Sequence, residues 1–451
     1  MNNDQAVATD LPRGAYLIRG ARILTMDPAI GDLARGDVLV RGGAIVAVAE
    51  ELPADDAEVI DAAGMILMPG FIETHWHMWN SIWRGLSHDA PGYFALHRLA
   101  GSYTAEDHYA AIRYAATEAI NAGVTTCHNW SNALRNTEDA LAQAQALADS
   151  GIRARFGYGH LPHPGSTAVD DGEIVPMLEW LGQHGDERID LGVVIHTTQH
   201  FVTEVEAARR HGLKSIAPHA DLSQVLHLLG PEFIFTHGPG TPDQLLQLLA
   251  ARGVKISLCP STDTIIGAGL PPLIRFLENG VPFHDIGFSV DVTAQTCVDP
   301  FAAMRTIIAS ARIAQQRGAS FTEIIMRPGN PADPTNGLTM PRQMLQLATL
   351  NGARVLGLED TTGSIAPGKR ADLILVRTSD LNMIAVDDSN ATFQLVQHGQ
   401  PANVDTVMVD GRFLKRAGQL LGIDVAAVGK AAARSHDAIR RRAQVGCDAT
   451  L

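Results

Sequence analysis

The sequence contains little cysteine and no closely spaced cysteine pair. Its four cysteines are scattered along 451 residues, at Cys127, Cys259, Cys297 and Cys447. A secreted protein held together by disulfides has many cysteines at short spacings, and this chain does not. We therefore expect reduced thiols and a cytoplasmic protein.

The sequence also lacks long apolar runs and basic clusters. No run approaches the roughly 20 apolar residues that span a bilayer, and the opening MNNDQAVATDLPRG lacks the basic and then apolar order of a signal peptide. The formal net charge is −14, and no basic stripe offsets it. Because phosphates would be repelled, we expect neither nucleic acid nor a membrane as a partner. Hydrophobic residues make up 46% of the chain, enough for a sizeable core.

Both ends of the chain are rich in short β-type runs. The first part contains YLIRGARILTMDP and GDVLVRGGAIVAVAE, and the last part contains ADLILVRTSD and VDTVMVDGRFLKRAGQLL, with Gly, Asp or Pro between runs. These runs predict one small β-sandwich domain built from residues 1–67 and 360–420. Residues 421–451 have the pattern of an amphipathic helical tail, which we expect to pack against the protein or to form a dimer surface.

The middle of the chain, residues 68–359, alternates strand-type runs with amphipathic helical stretches. Eight strand candidates occur there, namely GFIETHWH, GVTTCHNW, IRARFGYGH, LGVVIHTT, LKSIAPHAD, FIFTHGPG, VKISLCPST and IGFSVDVT. The alternation is typical of an α/β fold with a parallel sheet. Eight units in a segment near the usual size of about 250 residues predict a (β/α)8 TIM barrel. A doubly wound open sheet is the alternative, but no Gly-rich phosphate turn follows the first strand.

Histidines and one aspartate stand at the ends of several of these strand candidates. His75 and His77 are two residues apart, so on a strand their imidazoles point to the same side. His219 ends the fifth candidate, His237 the sixth and Asp291 the eighth. In such barrels the carboxyl ends of the strands carry the chemistry. Imidazoles and a carboxylate meeting there predict a divalent-metal site, with zinc favoured and iron as the alternative.

The motifs MPGFIETHWH, FTHG, FSVDVT and NGARVLGLEDTTGSIAPGKRADLILV together resemble the amidohydrolase superfamily, in the branch that holds cytosine deaminase and the triazine chlorohydrolases. The resemblance covers nearly the whole chain. It implies that His75, His77, His219 and Asp291 bind one metal, and that His237 lies over the water bound to it. Family members with two metals place a carbamylated lysine at the end of the fourth strand, where this sequence has His196 and Thr197. One metal ion is therefore expected.

The sequence departs from the family pattern after the fifth strand. Ring deaminases of this family carry a glutamate three residues after the fifth-strand histidine, and it moves a proton from the attacking water to the substrate ring. Here the stretch reads PHADLSQ, which puts Leu222 at that position and Asp221 one residue earlier. A shift of one residue turns a strand side chain to the opposite face. Asp221 is therefore either a substitute for the glutamate or a loop and cap residue.

Without that glutamate, proton transfer falls to Asp291 and His237, the predicted catalytic residues. A metal lowers the pKa of bound water towards about 7, so a neighbouring carboxylate can accept its proton. His237 can stabilise a developing oxyanion. The site predicts hydrolysis of a non-peptide carbon–nitrogen bond in a small, aromatic or heterocyclic substrate. Heterocycle deamination and hydrolytic dechlorination stay open, whereas a non-catalytic scaffold of this fold would lack several of the histidines.

Further side chains near the strand ends are candidates for substrate contacts, because these ends surround the pocket of a barrel. A flat small molecule is the expected ligand. The candidates are His128, Trp130, His160, His196, Trp79 and Asp221. Packing beneath the loops is an equal alternative for Trp79. We expect the protein to form a homodimer or a higher homo-oligomer.

Overall fold

The structure is a computed structural model that describes residues 11–86, 90–162, 165–316 and 341–444. Its strands, numbered in chain order, are β1 (Ala15–Ile23), β2 (Leu33–Arg41), β3 (Ala44–Ala49), β4 (Glu58–Asp61), β5 (Met65–Pro69), β6 (Phe71–Trp76), β7 (Val124–Leu134), β8 (Arg153–His160), β9 (Ile189–Ile195), β10 (Ile216–Pro218), β11 (Ile234–Thr236), β12 (Lys255–Leu258), β13 (Ile286–Phe288), β14 (Leu373–Arg377), β15 (Val404–Val409), β16 (Arg412–Arg416) and β17 (Gln419–Leu420).

The longer helices are Ala105–Asn121, Thr137–Ser150, Asp171–His184, Phe201–Arg210, Asp243–Ala251, Pro300–Gln316, Pro341–Ala348, Ala391–His398 and Val425–Arg442. The shorter α-helices and 3-10 turns are Met78–Trp83, Ala90–Leu96, His97–Ser102, Leu226–Leu228, Pro260–Ile265, Leu273–Glu278, Phe283–Asp285, Leu350–Val355, Leu381–Met383 and Pro401–Asn403. Local signals explain several bounds. Thr104 and Asp107 form a capping box at the start of Ala105–Asn121, and Gly151, with a φ of 79°, follows Thr137–Ser150.

Eight parallel strands, β6 to β13, form a barrel-like domain. Strands β6 to β10 pair in chain order, and so do β11 to β13. Parallel bridges join the two groups on both sides, from Ile216 to Phe233 and from Trp76 to Asp291. Each of the eight strand candidates of the sequence overlaps one of these strands. The bridges at both edges distinguish the arrangement from an open sheet.

Polar side chains are buried inside this domain. Every residue of β6 and β7 is buried, including His75 and Asn129. Burying a polar group costs free energy unless the group is paired. Asn129 is paired in part: its Nδ2 donates to Gln143 Oε1 at 2.9 Å, whereas its Oδ1 has no hydrogen-bond partner among the described residues. The buried polar side chains of these two strands therefore indicate that the interior of this domain has a role besides apolar packing.

Strands from both ends of the chain form one nine-stranded sheet, in the order β17-β16-β15-β14-β5-β1-β2-β3, with β4 paired to β1. Strand β5 pairs antiparallel with β14, which joins the two ends of the chain. The sheet has its own apolar cluster with members from both ends, among them Tyr16, Ile18, Val38, Leu373, Met408 and Phe413. Both ends thus contribute to one sheet and one core.

Charged side chains connect this sheet to the barrel strands. Arg153, at the start of β8, donates from Nε to Asp372 Oδ2 at 2.6 Å, and both side chains are buried. Asp372 directly precedes β14, and its Oδ1 also accepts from the backbone N–H of Asp410 at 2.8 Å. Both partners are removed from water. Loss of either one would therefore leave the other charge buried and poorly compensated, which destabilises the protein.

The C-terminal helix Val425–Arg442 buries one stripe of side chains, Val428, Ala432, Ser435 and Ile439. Their spacing of three and four residues puts them on one helical face. Arg442 at its end contacts Asp107 of the helix Ala105–Asn121. The predicted tail therefore packs against the protein, and its last residues, 445–451, lie outside the described residues. In the part of the chain that the structure describes, no helix has both the length and the apolarity to cross a bilayer.

Candidate active site

The barrel strands bring the predicted metal ligands to one end of the domain. His75 lies near the end of β6 and His77 directly after it. His219 follows β10, His237 follows β11, and Asp291 comes three residues after β13. Since these strands run parallel, their carboxyl ends meet at the same mouth.

The Asp291 carboxylate lies at the centre of this cluster. Its Oδ1 is 3.1 Å from His75 Nε2 and 3.5 Å from His77 Nε2. The two Nε2 atoms are 3.3 Å apart. The ring of His219 is 4.7 Å from that of His75, measured between centroids. The structure therefore brings together all four residues that the sequence predicts as ligands.

The imidazoles of the cluster are held in their neutral form by burial. Burial lowers the pKa of His75, and it lowers the pKa values of His77 and His219 well below their usual range. Neutral imidazole is the form that binds a metal. The Nε2 atom of His219 is buried and has no hydrogen-bond partner among the residues that the structure describes. A divalent cation among these nitrogens would satisfy that atom, so the donor set fits the metal.

Burial opposes the ionisation of Asp291, but the nearby His237 and His75 lower the pKa of this carboxyl below its usual value. A carboxylate ligand must be ionised to bind a cation. One potential ligand atom from each of His75, His77 and Asp291 lies within 4.8 Å of the others, and the same holds for His75, His219 and His237. Three imidazoles and one carboxylate are a donor set that zinc accepts.

His237 stands beside this set and has a carboxylate partner of its own. Its Nδ1 lies 2.7 Å from Asp263 Oδ1, and its Nε2 lies 3.9 Å from Asp291 Oδ2. Burial alone would lower the pKa of His237, but Cys259, Asp291 and Asp263 raise it well above its usual value. The Asp263 carboxylate therefore accepts a hydrogen bond from the Nδ1–H group of His237, and the His237 Nε2 atom is directed at the site.

Two of these residues have an unusual backbone. The φ angle is 71° at His237 and 63° at Asp291, in the left-handed region that side chains other than glycine rarely adopt. Such conformations cost about 1–3 kcal/mol each and persist where the surrounding structure requires them. At both positions the left-handed turn follows the end of a barrel strand and aims the side chain into the mouth.

Cys259, Asp263 and Asn132 also lie at this site, although their positions in the sequence do not predict a role for them. Cys259 directly follows β12, and Asp263 lies in the helix Pro260–Ile265 that comes next. The seventh strand candidate contains Cys259. The position of Cys259 at the end of a strand was the feature of the sequence that could have indicated a place at the site. Asn132 lies inside β7 and is visible only through its contacts.

Trp79 supports a ligand indirectly instead of facing a pocket. Its Nε1 donates to Asn132 Oδ1 at 2.9 Å, and the same oxygen is 3.0 Å from His77 Nδ1. Trp79 is fully buried. The shared oxygen fixes the Nδ1 proton of His77 and leaves Nε2 for a metal, the arrangement typical of a metal-binding histidine.

Trp130 and His128 are also fully buried, which differs from the pocket-facing positions that the sequence predicts. The Trp130 ring lies 4.5 Å from the His219 ring, and its Nε1 donates to Ala217 O at 3.1 Å. His128 Nδ1 is 3.1 Å from Thr74 O. Trp130 packs against the ligand cluster because its indole fills the space next to the imidazoles.

His160 and His196 lie at strand ends and are partly exposed. His160 Nδ1 donates to Thr167 O at 2.8 Å. Burial lowers the pKa of His196 to about 4, and its ring lies 5.8 Å from that of Trp130. The neutral His196 ring therefore borders the cluster, while His160 is held by a loop carbonyl.

Asp221 is exposed and engaged locally. Its carboxylate accepts from Ser223 N at 2.9 Å and from Ser223 Oγ at 3.1 Å. These hydrogen bonds, the backbone one first, lower the pKa of Asp221. Leu222, at the position of the expected glutamate, is buried among apolar side chains. This geometry is typical of a loop aspartate.

The model of the amidohydrolase family matches residues 66–414 of this chain. A 5'-deoxyadenosine deaminase of Methanothermobacter thermautotrophicus is 28% identical over 449 residues, with 90% of this chain and 94% of that protein covered. A 5-methylthioadenosine/S-adenosylhomocysteine deaminase of Desulforudis audaxviator is 28% identical over 458 residues, with 93% and 97% covered.

Solved structures show the same fold. An adenosine deaminase from Xanthomonas campestris with bound zinc has a TM-score of 0.78 at 22% identity, covering 95% of this chain and 99% of that one. An atrazine chlorohydrolase from Arthrobacter aurescens complexed with zinc has a TM-score of 0.73 at 20% identity, covering 93% and 100%. At these identities the likeness concerns the fold.

Proposed function

The chain belongs to the amidohydrolase family and is a metal-dependent hydrolase of carbon–nitrogen bonds, and from this premise we propose that it holds a single zinc ion in one four-ligand site. The ligands of this site are His75, His77, His219 and Asp291. The observation that carries the proposal is the meeting of His75 and His77 at the buried Asp291 carboxylate. The His219 ring lies 4.7 Å from that of His75, and its Nε2 has no hydrogen-bond partner among the described residues. Iron is the alternative ion, since imidazole and carboxylate suit both.

A divalent ion held by these residues would supply a water of lowered pKa and would polarise the bond to be cleaved. Asp291 is placed to accept a proton at Oδ2, the oxygen that faces His237. His237 carries its Nδ1 proton towards Asp263, so its Nε2 can exchange a proton with the reacting oxygen. Asp291 and His237 are the catalytic residues of the proposal.

The substrate that fits best is a small, non-peptide molecule with a polarised carbon–nitrogen bond. Leu222 is apolar and buried, and Asp221 is exposed and bound to Ser223. A ring deamination that depends on a glutamate at that position therefore has no matching acid here. Amide, carbamate or amidine hydrolysis needs only a base and an oxyanion partner, which Asp291 and His237 provide.

A second candidate is deamination of a purine-type ring, and the two curated deaminases that share over 90% of their length with this chain favour it. In that reaction a proton must reach the ring nitrogen. His237 is placed at the mouth to supply it, because the neighbouring Cys259, Asp291 and Asp263 raise its pKa well above its usual value. Hydrolytic dechlorination stays a third possibility on the same site.

One substrate panel separates these candidates. The zinc-loaded protein is incubated with amides, carbamates, aminopyrimidines, 5'-deoxyadenosine and chlorotriazines, and released amine, ammonia and chloride are measured. We expect amine or ammonia release that is lost on chelation and restored by zinc. Chloride release alone would favour dechlorination. No product from any class, with one zinc bound, would contradict the hydrolase proposal and favour a scaffold.

The domain division belongs to the same proposal. It assigns residues 68–359 to the barrel, residues 1–67 and 360–420 to one β-sandwich, and residues 421–451 to a helical tail. The shared sheet and its separate apolar cluster support the discontinuous domain. Limited proteolysis should therefore not release one chain end without the other. Release of one end alone would contradict the shared domain.

We further propose a cytoplasmic homo-oligomer with a small-molecule substrate, without nucleic acid or membrane partners. The exposed apolar side chains Leu381, Ile384 and Phe393 support a self-association surface, because exposed apolar clusters are typical of interfaces. Light scattering after size exclusion should give a mass of at least two chains. A Leu381→Asp variant should shift this mass towards one chain.

A further inference from the structure

Cys259 is a buried thiol at the mouth of the barrel that the proposed mechanism does not use. It directly follows β12 and has no exposed surface. Its sulfur lies 3.5 Å from Ser289 Oγ and 4.0 Å from Ser257 O, and it also hydrogen-bonds with His237. Its sulfur lies within 4.8 Å of ligand atoms of both His237 and Asp291. Thiol, imidazole and carboxylate thus meet at one point.

The two oxygens of Asp291 face different groups. Oδ1 faces His75 and His77, at 3.1 and 3.5 Å. Oδ2 faces His237 Nε2, at 3.9 Å. A carboxylate arranged in this way can serve two ions, one through each oxygen, which is how carboxylates bridge metals in two-metal sites.

His237 has the support that metal-binding histidines usually have. Its Nδ1 is 2.7 Å from the buried Asp263, which is nearly inaccessible to solvent. Ligating histidines generally donate their second ring N–H to a carboxylate or carbonyl, which orients the ring. Asp263 therefore leaves His237 Nε2 oriented towards Asp291 and Cys259.

We propose that His237, Cys259 and Asp291 form a second metal position, the thiol site, which takes soft divalent ions such as zinc or cadmium beside the four-ligand site. Binding there replaces the thiol proton of Cys259 and the Nε2 proton of His237 by the metal ion and releases both protons to solvent. A thiolate ligand favours zinc and cadmium over magnesium or calcium. The thiol site needs no lysine at the end of β9.

The thiol site goes beyond the proposed function, and only its consequence depends on that function. An ion there occupies His237 Nε2 and Asp291 Oδ2, the two groups assigned to proton transfer. Excess zinc should therefore inhibit hydrolysis, while one equivalent supports it. Occupancy of the thiol site would act as a metal-sensitive brake on the enzyme.

The test uses full-length protein with Cys297→Ser and Cys447→Ser, so that thiols other than Cys259 and Cys127 are removed. The protein is loaded with one equivalent of zinc and then titrated with cadmium. Ultraviolet absorption reports the sulfur-to-cadmium charge transfer, and elemental analysis reports both metals after desalting. We expect one cadmium to bind with the thiolate absorption while one zinc is retained.

Two variants then locate the sulfur. Cys259→Ala should lose both the absorption and the cadmium, with the zinc equivalent kept. Cys127→Ala is the matched control. Cys127, on β7, is equally buried but contacts Met78, so this variant should behave as the parent. Cys259→Ser repeats the test with a side chain of similar size, and melting temperatures show that each variant folds.

Three results would overturn the thiol site: no second equivalent in the parent protein, a second equivalent without thiolate absorption, or absorption that survives in Cys259→Ala. The zinc equivalent and the turnover of the protein loaded with one equivalent are measured separately. Their loss would contradict the proposed function, whereas the cadmium results concern the thiol site alone.

Discussion

The Nδ1 atom of His237 and the Oδ1 atom of Asp263 are joined by a hydrogen bond of 2.7 Å. The two residues follow different barrel strands, β11 and β12. The carboxylate fixes which ring nitrogen carries the proton and which one faces Asp291. The orientation of one proposed catalytic residue is thus set by a neighbouring strand end.

Asp263→Asn should slow hydrolysis without removing the metal. The amide keeps the size of the side chain but no longer stabilises the protonated Nδ1, so His237 is expected to change tautomer or rotate. Residues that support such histidines typically contribute 10–100-fold to activity or metal affinity. We expect a decrease of about that size in kcat, with KM nearly unchanged and one zinc retained. An altered pH profile would show positioning, whereas an unchanged profile with a lower melting temperature would indicate packing only.

Asp291→Asn should be nearly inactive. The amide cannot accept the proton and is a weaker ligand beside His75, so both base and metal orientation are lost. Loss of a general base typically costs roughly 10²–10⁴ in rate. Steady-state kinetics and zinc content check this.

Asp285→Asn is the control for Asp291→Asn, because Asp285 precedes β13 at the opposite end of the same strand and pairs with Lys255 at 2.6 Å. We expect Asp285→Asn to keep the hydrolysis rate of the parent, since residues at that end of a barrel contribute to stability and not to catalysis. Equal rate losses in both variants would contradict the assignment of the base.

Asp221→Asn should leave turnover and zinc content nearly intact. Asp221 is exposed, and its carboxylate bonds to Ser223. The amide oxygen can still accept one of these bonds, so little change in the free energy of unfolding is expected. A hundredfold or larger drop in turnover, on the scale of lost acid–base catalysis, would show that Asp221 replaces the missing glutamate.

The free energy of unfolding should depend on the ionisation of Glu204. Burial raises the pKa of this carboxyl to about 7, and its Oε1 accepts from Val169 N at 3.1 Å. Between about pH 4.5 and 7 this carboxyl is ionised in the unfolded chain but protonated in the folded protein. Its stabilising contribution is therefore complete below pH 4.5 and is lost as the pH rises towards 7. The full loss is about 3 kcal/mol.

Glu204→Gln removes this dependence, so the stability of the parent relative to the variant should fall from pH 5 to pH 7.5. Urea unfolding at both pH values measures it. Glu206→Gln, exposed on the same helix, is the control and should show no such trend. A parent-minus-variant difference that stays constant for Glu204→Gln would contradict the expectation.

Asp372→Ala should destabilise the protein by about 3–5 kcal/mol, because it removes the closest carboxylate of the buried Arg153 and leaves only Asp410 at 3.8 Å. Asp388→Ala offers the contrast: Asp388 pairs with Arg22 but is 73% exposed, and exposed pairs contribute about 0–1 kcal/mol. Denaturant unfolding of both variants gives the comparison. Similar small effects would show that the link between the sheet and the barrel is not held by this pair.

Much of the fold can be read along the chain. The eight strand candidates overlap β6 to β13, since buried strands of parallel sheets are short β-prone runs bounded by polar loops. The relation between His75 and His77 is equally local, because alternate residues of a strand share a face. Strand ends of a barrel meet at one mouth, which allowed His219, His237 and Asp291 to be grouped with them.

Burial of individual side chains could not be read in the same way. Trp79, Trp130 and His128 stand near strand ends, yet all three are fully buried. Whether such a side chain faces a pocket or the packing behind it depends on how neighbouring elements cover it. Asn132 is a further example: its link to both His77 and Trp79 requires the shape of the loop after β6.

The amino-acid sequence was therefore sufficient to predict which residues are the proposed ligands. The contacts among these residues were decided by closure of the barrel. Asp263 and Cys259 meet His237 only because β11 and β12 lie side by side. The left-handed backbone at His237 and Asp291 turns both side chains inward. These relationships join residues from separate strands, and no periodicity along the chain encodes a distance between strands.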